Sequence, residues 1–190
     1  NLIDEESRIM PSGGGAFEQA YNAQASVDVD SMLIVGQHVS ANANDKKELE
    51  PALEELAKLP TDIGTSETII ADNGYYSEAN VNAAELESIS PLLAMGRERY
   101  DALKIDDSVE ELPGHATALD KMRQRLKSKE GRALYAKRKC TVEPVFGIIK
   151  HVMGFRQFNL RGLESVQGEW TLVSIAWNLK RMAKLYAVAG

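Results

Sequence analysis

Short runs of branched apolar residues dominate the first half of the chain, and helical stripes dominate the second. Residues 20–27 alternate imperfectly between apolar and polar, and residues 32–40, MLIVGQHVS, are rich in branched side chains. Asp28-Val29-Asp30-Ser31 between them has turn chemistry, so the pattern predicts an antiparallel hairpin. Upstream, NLIDEESRIM reads as a first strand that ends at the glycine-rich turn of residues 12–15. Asn42 and Asn44 lead into Asp45, a candidate N-cap for a helix carrying Leu49, Leu53, Leu56 and Ala57 at helical spacing. Residues 60–66 break that helix. The run Thr68-Ile69-Ile70-Ala71 is the next strand, and Ser77 caps a helix through Val81, Ala84 and Leu86. ISPLLAM, residues 89–95, predicts a short strand, with Pro91 suited to an edge.

From Gly96 to His115 the chain is polar and carries few large apolar residues, which predicts a surface excursion. An insertion or excursion is expected within 96–135. Helices are expected near 117–130, 131–152 and 163–186. In the last, Val166, Trp170, Val173, Ala176, Trp177 and Leu179 form an apolar stripe suited to core packing. No internal repeat is evident. The order of elements predicts an α/β fold with a mixed sheet.

The length of 190 residues suits one domain, and 44% hydrophobic with 26% charged residues is ordinary for a soluble protein. No run approaches the roughly 18 apolar residues that span a bilayer, and no cleavable leader is present, so a cytoplasmic location is expected. Cys140 is the sole cysteine, which excludes an internal disulfide and argues against a thiolate metal site. His38, His115 and His151 are scattered and read as structural or surface residues. The chain starts Asn1-Leu2-Ile3 without a methionine, and a fragment whose N-terminal partner domain is missing is expected.

The net charge of −6 conceals an asymmetry. Between Lys121 and Arg161 stand twelve Lys or Arg against two acids, Glu130 and Glu143, while the remainder holds ten basic and twenty-six acidic residues. Such a basic segment is either a phosphate footprint or a solvated helical face. Asp72 poses a similar choice. A carboxylate closing a branched apolar strand before Asn73-Gly74 is either plain turn chemistry or a functional group at a strand's C-terminal end, where α/β proteins place their chemistry.

Four blocks bear on that choice: FEQAYNAQASVD (17–28), IIADNGYYSEANV (69–81), YAKRKCTVEPVFGIIKHVMGFRQFNLRG (135–162) and EWTLVSIAWNLKRM (169–182). In this order they resemble the catalytic domain of DDE transposases of bacterial insertion sequences, and the resemblance covers nearly the whole chain. It implies a ribonuclease H-like fold with a mixed sheet of about five strands flanked by helices. It also implies two aspartates and a glutamate that hold Mg²⁺ or Mn²⁺. Residue by residue, the second aspartate matches Asp72 and the glutamate Glu143. The first selects Asp4, with Glu5 and Glu6 adjacent and Asp28 as a rival. The family's Tyr, Arg and Lys around the glutamate correspond to Tyr135, Arg138 and Lys150. The gap between Arg138 and Glu143 is one residue longer than usual, which leaves Lys139 as the other choice.

Carboxylates suit this chemistry because Mg²⁺ prefers oxygen ligands and keeps sites open for substrate phosphates. Two such ions can activate the attacking oxygen and stabilise the leaving one in an in-line displacement. Glu143 and Lys150 lie two helical turns apart and share a face, placing Lys150 to hold a DNA phosphate beside the ions. Pro144 suits a first helical turn. Arg156 and Arg161, interleaved with Phe155 and Phe158, either contact DNA or pair with the acidic body while the rings pack inward. The resemblance implies partners in double-stranded DNA, both element ends and target, and in further copies of the chain, as a homodimer or larger synaptic complex. Two other readings stay open: an inactive or domesticated copy that binds DNA without cutting, and a non-transposing nuclease of the same fold.

Overall fold

The structure, a computed structural model, describes residues 4–11, 15–95 and 112–189. Strand β1 (Arg8–Pro11) pairs antiparallel with β2 (Phe17–Ala20), and both are largely exposed. The predicted hairpin is present as β3 (Asn22–Val27) antiparallel to β4 (Ile34–Ser40), with a register shift at Ser26/Val27. A 3-10 turn (Asp45–Lys47) leads into α1 (Leu49–Ala57), which buries Leu49 and Leu53. Strand β5 (Thr68–Ala71) connects through α2 (Glu78–Leu86) to β6 (Ser90–Leu93), which lies parallel to it. Three helices follow in close succession: α3 (Ala118–Lys127), α4 (Lys129–Ala136) and α5 (Arg138–His151). The last helix, α6 (Leu163–Ala189), is the longest of the described elements. No described helix is long and apolar enough to cross a membrane.

Capping chemistry sets most of these boundaries. The Ser77 hydroxyl accepts the Asn80 backbone N–H at 3.1 Å and starts α2. Thr117 and Asp120 form a reciprocal capping box on α3, and Ser128 caps α4 through the Gly131 N–H at 3.0 Å. A side chain at Gly131 would meet the Arg125 carbonyl oxygen at 1.9 Å, so the tight α3–α4 corner requires glycine there. Asp45 is not the cap expected of it: Asn44 caps the 3-10 turn by accepting the Lys46 N–H, and α1 begins after Glu48 without a side-chain cap. The expected helix over 131–152 is divided at Lys137, between α4 and α5.

Instead of one mixed sheet of about five strands, the described residues form three two-stranded sheets. Side chains of α6 take up backbone groups at both ends of β4. Asn178 exchanges two hydrogen bonds with the Ile34 backbone, both 2.8 Å, and Gln167 accepts from the Val39 N–H at 2.7 Å. An edge satisfied in this way has no call for another strand. Strands β3 and β5 share no ladder, and the Tyr75 hydroxyl donates to the Gln24 side chain between their elements. Asp4 was expected within the first strand but precedes it, in a bend where it accepts the Glu6 N–H.

Two hydrophobic cores result. One gathers Leu49, Val81, Leu92, Leu93, Met122 and Leu126 around β5–β6 and the first four helices. Arg125 clamps that strand pair, donating to Ser90 Oγ at 2.6 Å and Thr68 Oγ1 at 3.1 Å, so this cation of the basic segment is structural. Of the expected excursion over 96–135, residues 96–111 lie outside the described residues, while Met122, Leu126 and Tyr135 are buried. The other core packs β3–β4 against α5 and α6 through Ile34, Val145, Ile149, Val166, Trp170 and Trp177. Of the stripe expected to be core, Val166, Trp170 and Trp177 are buried, whereas Ala176 and Leu179 face outward.

Trp170 ties the second core together. It is 2% exposed, donates from Nε1 to the Gln24 carbonyl at 2.8 Å and stacks on Phe146 of α5 at 5.7 Å. Trp170→Ala is expected to cost about 3–5 kcal/mol, read as a drop in the urea unfolding midpoint at unchanged slope.

Candidate active site

The apolar run of β5 stops at Asp72, whose extended backbone turns into a 3-10 turn over Asn73–Tyr75. Asp72 Oδ1 accepts the Gly74 N–H at 2.7 Å, so turn chemistry holds one oxygen. The side chain is nonetheless 48% exposed at the C-terminal end of a strand. Glu143 projects from α5 with 57% exposure, while Val145 and Ile149 of the same helix are buried. Between the two acids stands Arg138. Its Nη1 lies 3.9 Å from Asp72 Oδ2 and 3.6 Å from Glu143 Oε1. These separations exceed hydrogen-bond reach, so charge rather than directed bonding joins the three. Arg138 Nε is buried without a hydrogen-bond partner among the described residues, and the guanidinium lies 5.9 Å from the centre of the Tyr135 ring. Arg138 is therefore the cation at the pair, and Lys139 is exposed beside it.

Pro144 was expected in a first helical turn. Helix α5 begins at Arg138, so the proline sits within it and removes the N–H that would reach the Cys140 carbonyl. The interruption falls immediately after Glu143.

The structure does not gather Asp4, Asp72 and Glu143 at one point, and no group of three or more His, Cys, Asp or Glu suited to a metal ion occurs among the described residues. Both oxygens of Asp4 accept from the Tyr21 hydroxyl, at 2.8 and 2.9 Å. Burial opposes the Asp4 charge, and hydrogen bonds from Tyr21 and from the backbone of Glu6, Ser7 and Gly162 outweigh it, holding the carboxyl below its usual value. Asp28 is exposed in the hairpin turn, where it accepts from Ser31 N and Oγ. Lys150, Arg156 and Arg161 are all exposed. The Lys150 ammonium lies 6.0 Å from the Phe146 ring centre, and Arg156 Nε donates to the Lys150 carbonyl. Phe155 and Phe158 pack inward on Trp170, and neither Arg156 nor Arg161 forms an ion pair among the described residues.

Sequence reasoning missed a second polar layer behind Asp72. Asp45 Oδ1 accepts from Asn22 Nδ2 at 2.8 Å and Gln24 Nε2 at 3.1 Å, and Gln24 is buried. Burial, followed by the charges of Asp45 and Asp72, pushes the Tyr75 phenol far above its ordinary value, so it stays protonated and donates to Gln24. The available signal was β3 itself, where Asn22, Gln24 and Ser26 alternate with Ala23, Ala25 and Val27, presenting a polar row on a strand with little exposure.

The Tyr21–Asp4 bond yields a pH test. Burial first, then the bond to Asp4 and the charges of Asp4 and Glu6, raise the Tyr21 phenol from 10.0 to about 12. A group raised on folding stabilises fully below its unfolded value and ceases to do so as pH climbs through the folded one. Tyr21→Phe is expected to lower the thermal midpoint by a few degrees at neutral pH, and the difference from wild type should vanish between pH 10 and about 12.

No curated protein and no solved structure matches the chain. A family model does match, over residues 5–179. Its span begins one residue past Asp4 and takes in Asp72, Arg138 and Glu143. By that match, over almost the whole chain, this protein belongs to the transposase DDE domain family.

Proposed function

We propose that this chain is the catalytic domain of a DNA transposase that cuts phosphodiesters at the ends of a mobile element and joins the freed 3′ hydroxyl to target DNA. One observation carries the reading: Asp72 from a strand end and Glu143 from a helix converge on a single cationic group, Arg138. Two carboxylates that already share one positive charge fit a Mg²⁺ or Mn²⁺ ion, which is usually held by one or two carboxylates together with substrate phosphates. Held there, such an ion would supply Lewis-acid stabilisation of the phosphoryl oxygens. Asp4, the third acid of the expected set, accepts the Tyr21 hydroxyl on both oxygens.

The chain's own groups account for the remaining tasks. Arg138 neutralises the acids and, being charge-held rather than hydrogen-bonded to them, is free to swing onto a phosphate. Lys150, two turns past Glu143, together with exposed Lys139, Arg156 and Arg161, offers cations to the duplex backbone. Partial exposure of Asp72 and Glu143 leaves the pair open to a strand laid across it. This reading places the protein in the bacterial cytoplasm, at the nucleoid. Self-association is supported by α6, where Leu172, Ile175, Leu179, Met182 and Tyr186 stand exposed at alternating three- and four-residue spacing. That is the spacing of a helix-pairing seam.

Incubated with supercoiled plasmid and Mn²⁺, the wild-type chain is expected to nick, and Asp72→Ala and Glu143→Gln are expected not to. Binding retained without metal-dependent nicking would favour a domesticated DNA binder, and nicking without strand transfer a nuclease. Lys150→Ala should weaken DNA binding uniformly across sequences and reduce the logarithmic salt slope by about 1. In sedimentation velocity, Leu179→Glu is expected to shift any dimer to monomer.

A further inference from the structure

Asp45 is an acid beside the candidate site that the foregoing chemistry leaves unused. It belongs to the 3-10 turn ahead of α1 yet does not cap it, since Asn44 does. Its Oδ1 is tied from behind by two amides of β3, Asn22 and Gln24. Its Oδ2 faces Gly74. A Cβ placed on Gly74 would lie 3.0 Å from Asp45 Oδ2 and 2.9 Å from Asp72 Oδ1, so the two carboxylates flank the same bare Cα. The Gly74 backbone does not need the left-handed region, so the absent side chain is a matter of space and not of backbone strain. Asp45 forms no ion pair among the described residues, and Arg138 reaches Asp72 and Glu143 only.

The amides behind Asp45 are themselves braced. Asn22 Nδ2 also donates to the Asn42 carbonyl at 3.1 Å, and Asn42 Nδ2 donates to Glu48 Oε1 at 2.9 Å. Glu48 is fully buried, with His38 Nε2 at 2.8 Å from its other oxygen. A rigid chain of polar contacts thus runs from β4 to Asp45 and holds its charge in place. Two like charges side by side repel unless a cation is shared between their fields.

We propose that Asp45 is a positioning residue for Asp72: anchored on Asn22 and Gln24 and separated from Asp72 only by Gly74, it fixes the Asp72 carboxylate and adds the negative charge that draws a divalent cation to it. The proposal rests on the metal-holding role given above to Asp72. Because no three acids close on one point among the described residues, Asp45 acts through Asp72 and is not itself assigned as a ligand.

The test uses the DNA-free chain and Mn²⁺ alone, with bound metal counted by the loss of the free-ion paramagnetic resonance signal. Asp45→Asn keeps an acceptor for Asn22 and Gln24 and removes only the charge. It is expected to weaken Mn²⁺ binding by about 10- to 100-fold while leaving the metal-free thermal midpoint essentially unchanged. Gly74→Ala, which pushes the carboxylates apart without backbone strain, should give the same loss and serves if Asp45→Asn folds poorly. Unchanged affinity in both variants, or a loss that only follows a lowered metal-free midpoint, overturns the proposal. Asp72→Asn separates the two levels. If it abolishes Mn²⁺ binding while the Asp45 and Gly74 variants bind normally, the Asp45 proposal fails and the proposed function stands; if it leaves binding intact, the metal reading of the site fails first.

Discussion

The encounter of Asp72 and Glu143 across one guanidinium is the constraint on which the proposed chemistry depends, because the two acids stand on elements of different hydrophobic cores. Asp72 closes β5, which packs with α1–α4, whereas Glu143 rides on α5, whose Val145 and Ile149 are buried with β4 and α6. The chain passes between these cores at Lys137, after Tyr135 has been buried in the first and before Val145 enters the second. Arg138 stands at that crossing. Its position over Asp72 and Glu143 therefore reports the relative placement of both cores. Any change that lets α5 rotate against β5 would be felt there as unneutralised charge in a half-buried place.

The net negative charge is reconciled with a nucleic-acid substrate by how the cations are divided. Arg125 is consumed in clamping β5 to β6, and Arg138 stands between the two acids. Lys139, Lys150, Arg156 and Arg161 remain exposed on or just after the helix that carries Glu143. Lys121 and Lys127 of the same basic segment are exposed as well. The rings of Phe155 and Phe158 explain why Arg156 faces out: packing both rings on Trp170 commits the side chains between them to the opposite side.

Much of this was legible in the sequence where local chemistry decides the outcome. The β3–β4 hairpin follows from two apolar runs about a turn, α2 from Ser77, and the strand ending on Asp72 from TIIA before Asn73-Gly74. What could not be read depends on contacts between distant segments. A single mixed sheet was expected because strand propensity says nothing of what satisfies an edge, and here Asn178 and Gln167, more than a hundred residues downstream, take up backbone groups at both ends of β4. Pro144 suggested a helix start, but buried Thr141 and Tyr135 carry helical structure across and ahead of it. The first aspartate was sought by order along the chain, and order cannot show that Asp4 accepts the Tyr21 hydroxyl.

The choice posed by Asp72, turn residue or functional acid, turns out to involve no conflict. One oxygen serves the turn by accepting from Gly74, and the other faces Arg138 and the open side. A carboxylate with one oxygen fixed by the backbone has lost most of its rotational freedom, so its free oxygen presents a defined lone pair without further ordering cost. The same division recurs at Asp45, whose Oδ1 is fixed by β3 amides while Oδ2 faces Gly74. Two acids, each half-tethered and separated by a residue with no side chain, form a rigid negative edge. The folded chain maintains that repulsion because Arg138 offsets part of it and the braced amides of β3 prevent Asp45 from turning away.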